Sequence, residues 1–124
     1  MASDSQPTVD QIFAMMRKTM GSIPSAIEKA TSVDEGLLHE HLRSRAYAMP
    51  AAGALDDETR TLIYLAAALA ASSKACIQAM ANKAKMQGIA PEKVLETVKI
   101  VRLALATKVI GDGEPIFEAL EKTQ

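Results

Sequence analysis

A chain of 124 residues, of which 48% are hydrophobic and 23% charged, has the size and composition of one globular domain. Its net charge of −1 creates no strong field toward nucleic acid or a membrane surface, so neither is expected as a partner. The only cysteine cannot form an intramolecular disulfide, and the N-terminus lacks the basic and apolar regions of a signal peptide, so we expect a cytoplasmic protein.

The hydrophobic pattern predicts an all-α fold, because apolar residues recur with helical spacing and no segment alternates with the period of a strand. We expect about six to seven helices in a single domain over residues 8–124, preceded by a flexible lead-in at residues 1–7. The longest apolar run, at residues 62–71, is far shorter than a membrane-spanning helix.

Two short helices are predicted first. Thr8 is placed to cap a helix that runs to about Met20. The sequence Gly-Ser-Ile-Pro at residues 21–24 breaks this helix, and a second helix follows to about Lys29.

A capping-box pattern predicts the start of the third helix. Ser32 stands at the cap position and Glu35 follows three residues later, and the helix is expected to run to about Met49. Arg45 is expected to face away from the apolar side of this helix. The predicted apolar stripe comprises Leu37, Leu38, Leu42 and Ala46.

The fourth helix is predicted at residues 57–71, after a turn at residues 50–55 that is rich in Gly, Ala and Pro. The acidic residues 56–58 favour a helix start, because they lie near the positive end of the helix dipole. From Leu62 onward every side of this helix is apolar, so we expect it to be buried on all sides.

Three more helices are predicted after it. The fifth covers residues 74–87, with Gly88 as the residue that ends it. The sixth covers residues 91–110 and begins with proline, which suits the first helical position. Its second half is apolar on more than one side, which indicates a subunit interface. The last covers residues 115–122. The predicted inner stripe of the sixth helix comprises Val94, Val98, Val101 and Leu105.

Three motifs lie in a characteristic order along the chain. The first is the sequence Met-Gly-Ser-Ile-Pro at residues 20–24. The second is the helix start at residues 53–63, where a leucine and an acidic cluster precede Thr-Arg-Thr-Leu-Ile. The third is the cysteine-containing helix segment at residues 76–84, followed by the turn Gly-Ile-Ala-Pro-Glu at residues 88–92. Together they resemble the carboxymuconolactone decarboxylase and alkyl hydroperoxidase D (AhpD)-like family, over roughly residues 9–122. The resemblance implies an AhpD-like helical domain that assembles as a homo-oligomer, a trimer or a hexamer.

The redox branch of that family carries a glutamate, two cysteines and a histidine at fixed spacing. In this sequence the four positions fall on Thr61, Ser73, Cys76 and Met80, so only the second cysteine is retained. The resemblance implies that one thiolate attacks a peroxide and that the second thiol then forms a disulfide with it. With one thiol left, we expect weak antioxidant (peroxidase-type) activity, if any, that depends on an external thiol reductant.

Cys76 has three open interpretations. It lies in the first turn of a predicted helix, where free N–H groups stabilise a thiolate, and Lys74 and the Ser73 hydroxyl stand close to it in sequence. The alternative interpretation is that Cys76 is a small buried apolar residue that serves only core packing. A metal or cofactor contact has the least support, because no histidine lies nearby in sequence, so we predict no metal and no cofactor.

His39 and His41 are the only histidines, and their spacing places them on different faces of the third helix. We expect both to lie on the surface. The alternative hypothesis is that one of them transfers protons at the functional site. Besides a single-thiol peroxidase, the sequence therefore leaves open a non-enzymatic scaffold that binds a small ligand or a partner. Lactone decarboxylation is a more distant alternative, since the decarboxylase branch typically retains the histidine that Met80 replaces here.

Overall fold

The computed structural model describes residues 6–122, and this part of the chain contains seven α-helices and no strand. The all-α prediction is therefore confirmed; residues 1–5 of the predicted lead-in lie outside the described residues. None of the helices in this range combines the length and apolar character needed to cross a bilayer. The helices are α1 (Val9–Met20), α2 (Ser25–Val33), α3 (Glu35–Ala48), α4 (Asp57–Ala70), α5 (Lys74–Met86), α6 (Pro91–Asp112) and α7 (Glu114–Lys122).

Local capping interactions set the ends of α1. The Thr8 side chain accepts a hydrogen bond from the Gln11 N–H, and the Gln11 side chain accepts one from the Thr8 N–H, which forms a complete capping box. At the other end Gly21 has φ 82°, a left-handed conformation that glycine adopts without steric cost. The predicted first helix is thus confirmed at both ends.

The predicted cap of α3 is wrong by two residues. Ser32 lies inside α2, where its hydroxyl donates to the Lys29 carbonyl at 3.1 Å. Asp34 is the N-cap instead, and its side chain accepts a hydrogen bond from the Gly36 N–H at 2.9 Å. Aspartate caps helices as well as serine does, so both patterns were present in the sequence and only the backbone conformation at Asp34 decides between them.

The core lies where α1, α3, α4 and α5 meet. Aliphatic side chains and methionine fill it, and methionine supplies half of its principal residues. The buried cluster comprises Ile12, Met16, Met20, Leu38, Leu65 and Met80.

Helix α4 is buried on one side only, which corrects the prediction of burial all round. Thr61, Leu65 and Ala68 follow the helical spacing and are buried, whereas Ile63 is 52% exposed. The reason is that α5 and α6 pack against α4, while Ile63 and Ala67 line a cavity. The apolar residues of α4 therefore serve both a core and a cavity wall.

The C-terminal helices leave much apolar surface exposed. Val101 of the predicted inner stripe of α6 is buried, but Val98 and Leu105 are 40% and 43% exposed. Helix α7 packs chiefly against α6. We call the exposed set the C-terminal apolar surface; it comprises Leu95, Ile100, Leu103, Val109, Ile110, Ile116 and Phe117.

Helix α6 ends two residues later than its sequence indicates. Gly111 stays helical, and Lys108 forms an ion pair with Asp112 four residues on, an arrangement that favours helix. The Gly113 N–H then donates to the Val109 carbonyl at 3.0 Å, which closes the last turn.

Candidate functional site

The candidate thiol lies in the first turn of α5. Ser73 is the N-cap of this helix, and its side chain makes no capping hydrogen bond. Cys76 is the third helical residue and is half-buried, so its sulfur is neither sealed in the core nor fully in water. Helical N–H groups with no side-chain cap thus lie close to the sulfur, and they favour a negative charge there.

A tight turn between α4 and α5 brings Cys76 back toward the preceding helix. Ser72 adopts φ 58°, a left-handed conformation usually taken by glycine, and the Ser73 N–H donates to the Ala68 carbonyl at 2.9 Å. This is a Schellman-type helix end, with serine in place of the usual glycine. It folds α5 against α4, so residues 64 and 76 become neighbours.

Cys76 lines a cavity of about 240 Å³. Residues of α1, α2, α3, α4 and α5 all contribute to its wall. Most of them are apolar, and three larger polar side chains also reach it: His41, Arg45 and Tyr64. The sulfur therefore faces a space that a small organic molecule can enter.

Tyr64 is the hydrogen-bonding partner of the sulfur. Its Oη lies 3.8 Å from Cys76 Sγ, a distance at which either group can donate. Burial raises the pKa of the Tyr64 phenol and the adjacent Cys76 raises it further, whereas the positive charge of Arg45 acts in the opposite direction. The phenol therefore stays protonated at neutral pH, and it is available as a donor to a negatively charged sulfur.

A second, larger cavity of about 670 Å³ lies between α3, α4 and the turn that connects them. The two cavities share His41, Arg45 and Tyr64 in their walls. The same three polar side chains therefore stand between the thiol on one side and a roomy, mostly apolar space on the other.

Arg60 shapes the rim of the larger cavity. Its guanidinium donates to the Pro50 carbonyl at 2.8 Å, which ties α4 to the connecting turn. A Cβ at Gly53 would lie 2.1 Å from Arg60 Nη2, so any larger residue there would displace this guanidinium. The turn is thus held in place over the cavity.

The charges at the two cavities are predominantly positive. Within residues 6–122, no aspartate or glutamate lines either of them, and the Arg45 guanidinium makes no hydrogen bond or ion pair. Burial lowers the pKa of nearby Lys83, and the positive charge of Arg45 lowers it further, although Asp57 partly offsets this. Cationic side chains therefore gather on this side of the molecule with little compensation.

Of the four signature positions, the structure keeps Met80 near Cys76 but places Thr61 away from it. Met80 is buried and lines the same cavity as Cys76. Thr61 is buried elsewhere, with its hydroxyl 2.7 Å from Gln87 Oε1, and lines neither cavity. Lys74 is exposed and also lies outside both cavities, so its role as a thiolate stabiliser stays a prediction.

The two histidines differ in placement. His41 lines both cavities, whereas His39 is half-buried and lines neither. Within residues 6–122, no group of three or more His, Cys, Asp or Glu side chains converges as a metal site would require. If a histidine transfers protons at this site, the geometry favours His41.

Arg45 and Tyr64 are the site residues that sequence reasoning missed. Arg45 was expected to face away from the apolar stripe of α3, and this expectation is wrong: it is half-buried and lines both cavities, while Leu37 is 52% exposed. Leu38, Leu42 and Arg45 follow the spacing of four and three residues that marks one helix face. That spacing was the available signal, together with a tyrosine in an otherwise apolar helix.

Comparison with known proteins gives one family. The sequence model of the carboxymuconolactone decarboxylase family matches residues 38–113, which span α3 to the end of α6 and include Cys76 and both arginines of the cavities. This match confirms the resemblance seen in the motifs. No curated protein matches the chain.

Proposed function

Because this chain belongs to the carboxymuconolactone decarboxylase family, we propose that it reduces organic hydroperoxides with Cys76 as its only reactive thiol and an external thiol as reductant. The observation that supports this most is the setting of the sulfur: half-buried, on the wall of a cavity, and 3.8 Å from a phenol. A cysteine kept only for packing needs neither a cavity nor a hydrogen-bond donor.

The reaction divides into two steps. The Cys76 thiolate attacks the terminal oxygen of the hydroperoxide, an S–O bond forms, the O–O bond breaks, and the departing alkoxide takes a proton to become an alcohol. One external thiol then displaces water from the sulfenic acid to give a mixed disulfide. A second external thiol releases the Cys76 thiol and leaves as a disulfide.

The residues around the sulfur support the first step. Tyr64 donates a hydrogen bond to the attacking sulfur, Arg45 supplies positive charge in the same cavity, and His41 is placed to exchange a proton with solvent. The apolar wall favours an organic hydroperoxide over hydrogen peroxide. Because Ser73 and Met80 supply neither a resolving thiol nor a base, turnover is slow; general-base catalysis typically contributes about 10²–10⁴-fold.

Peroxide consumption with and without the sulfur tests this function. With cumene hydroperoxide and dithiothreitol, the protein should consume peroxide faster than the thiol alone does, and Cys76→Ser should reduce the rate to that background. Equal rates for the two proteins would refute the proposal. The decarboxylase alternative has less support, because Met80 stands where a histidine would be needed.

We also propose that the chain forms a homo-oligomer, a trimer or hexamer, through the C-terminal apolar surface. Leu103 is 65% exposed within that surface, and apolar residues clustered on one side of a chain indicate a contact with another copy. Light scattering after size exclusion should give a mass of several chains, and Leu103→Glu should reduce it to one. Lys18→Glu, a charge reversal at an exposed position of α1 outside that surface, is the control and should not. A monomeric wild-type protein would exclude the assembly.

A further inference from the structure

The larger cavity has the features of a ligand site that does not depend on the thiol. Its volume of about 670 Å³ falls within the range of about 300–1,000 Å³ that small-molecule sites occupy. Such sites are mostly apolar and carry a few polar groups that orient the ligand. Here Ile63 and Ala67 of α4 provide apolar wall, and Arg45, Arg60 and Tyr64 are among the few polar groups.

Arg45 is the group that most requires a partner. It is half-buried at the junction of the two cavities, and its guanidinium makes no hydrogen bond or ion pair with any residue of the described range. Arg43, two residues earlier on the same helix, is bound by Glu40 at 2.5 Å. A partly buried charge without a partner is costly, and a carboxylate pairs with the planar guanidinium through two parallel hydrogen bonds.

The surroundings favour an anion over a neutral ligand. Arg60 and Lys83 add positive charge on the same side, which Asp57 only partly offsets, and no acidic side chain of the described residues lines the cavity. The tail of a ligand that is anionic at one end would lie against apolar side chains of α3, α4 and the connecting turn. One such molecule would then place an anion beside the cationic groups and an apolar chain against the apolar wall.

We propose that this cavity binds an amphipathic monocarboxylate, with its carboxylate paired to Arg45 and its apolar body along α4 toward the connecting turn. The binding needs no redox step and does not involve Cys76. It is a function of the scaffold that persists whether or not the protein reduces peroxides.

Calorimetric titration of the full-length protein with octanoate and with 1-octanol tests the proposal, since the two share a tail and differ in charge. Octanoate should bind on the order of tenfold more tightly, or better, because it gains a charge-assisted pair. Arg45→Gln should remove most of that difference. Arg43→Gln, the same change on the same helix outside the cavity, should keep it.

A second variant locates the apolar body. Ala67→Phe fills the cavity from α4 and should weaken octanoate and 1-octanol alike. Three results would overturn the proposal: equal affinity of the wild-type protein for both ligands, an equal loss in the Arg45 and Arg43 variants, or no saturable binding by either ligand. The last would be seen if a second copy of the chain covered the cavity. Because binding is the readout, a peroxidase-inactive protein would not affect the outcome.

Discussion

The double variant Ser73→Cys/Met80→His is expected to reduce cumene hydroperoxide about 10²-fold faster than the wild-type protein, with dithiothreitol as reductant. Position 73 is the N-cap three residues before Cys76, so a second thiol there can resolve the sulfenic acid as a disulfide. Position 80 lies one helical turn after Cys76 on the wall of the same cavity, so an imidazole there can act as a base beside the sulfur.

Two controls make this result specific. Lys74→Cys/Met80→His introduces the same side chains, but residue 74 is exposed and lies two residues before Cys76, a spacing that does not bring helical side chains together, so the gain should be smaller. Met80→His alone reports the base without the resolving thiol, and its circular dichroism shows whether the buried substitution is tolerated. If the double variant is folded and no faster than the wild-type protein, the cavity around the sulfur does not support peroxide chemistry.

Tyr64→Phe is expected to slow the oxidation of Cys76 by about tenfold to a hundredfold. A hydrogen bond to a charged group contributes about 1.5–3 kcal/mol, and phenylalanine keeps the ring while it removes the donor. The rate should be measured in a single turnover, as the loss of free thiol after cumene hydroperoxide is added. Tyr47→Phe is the matched control, because Tyr47 is the other tyrosine and is 88% exposed.

The pH dependence of this effect has a defined sign. Burial and the adjacent Cys76 raise the pKa of the Tyr64 phenol, so the folded protein keeps this proton at least up to the usual phenol value of about 10. The difference between the wild-type and Tyr64→Phe proteins should therefore persist throughout neutral and mildly alkaline pH. If the oxidation rates of the two proteins became equal as the pH rose toward about 9, the phenol would not be the donor.

The helix limits were largely predictable because capping is local. Thr8, Gly88 and Pro91 each stand where their conformational preferences place a helix end, and the structure uses all three. The prediction that Ser32 caps α3 was wrong for an equally local reason. Asp34 is an equally good capping residue two positions later, and it is the one with extended backbone.

The site was less predictable because it depends on how helices meet. The signature drew attention to positions on α4 and α5, yet Thr61 bonds to Gln87, away from the thiol, while Tyr64 reaches it. Arg45 is far from both in sequence, and only the packing of α3 brings it to the shared cavity wall. A pattern along one helix indicates which face is apolar, but not which neighbouring helix completes a cavity.

Trapping of the oxidised sulfur in the native protein tests the central claim most directly. The folded protein is treated with one equivalent of cumene hydroperoxide in the presence of dimedone, which captures sulfenic acid, and is then analysed by mass spectrometry. A reactive thiol on an open cavity predicts one adduct, located at Cys76 and absent from Cys76→Ser. An adduct that forms only after denaturation in guanidinium chloride would contradict the account.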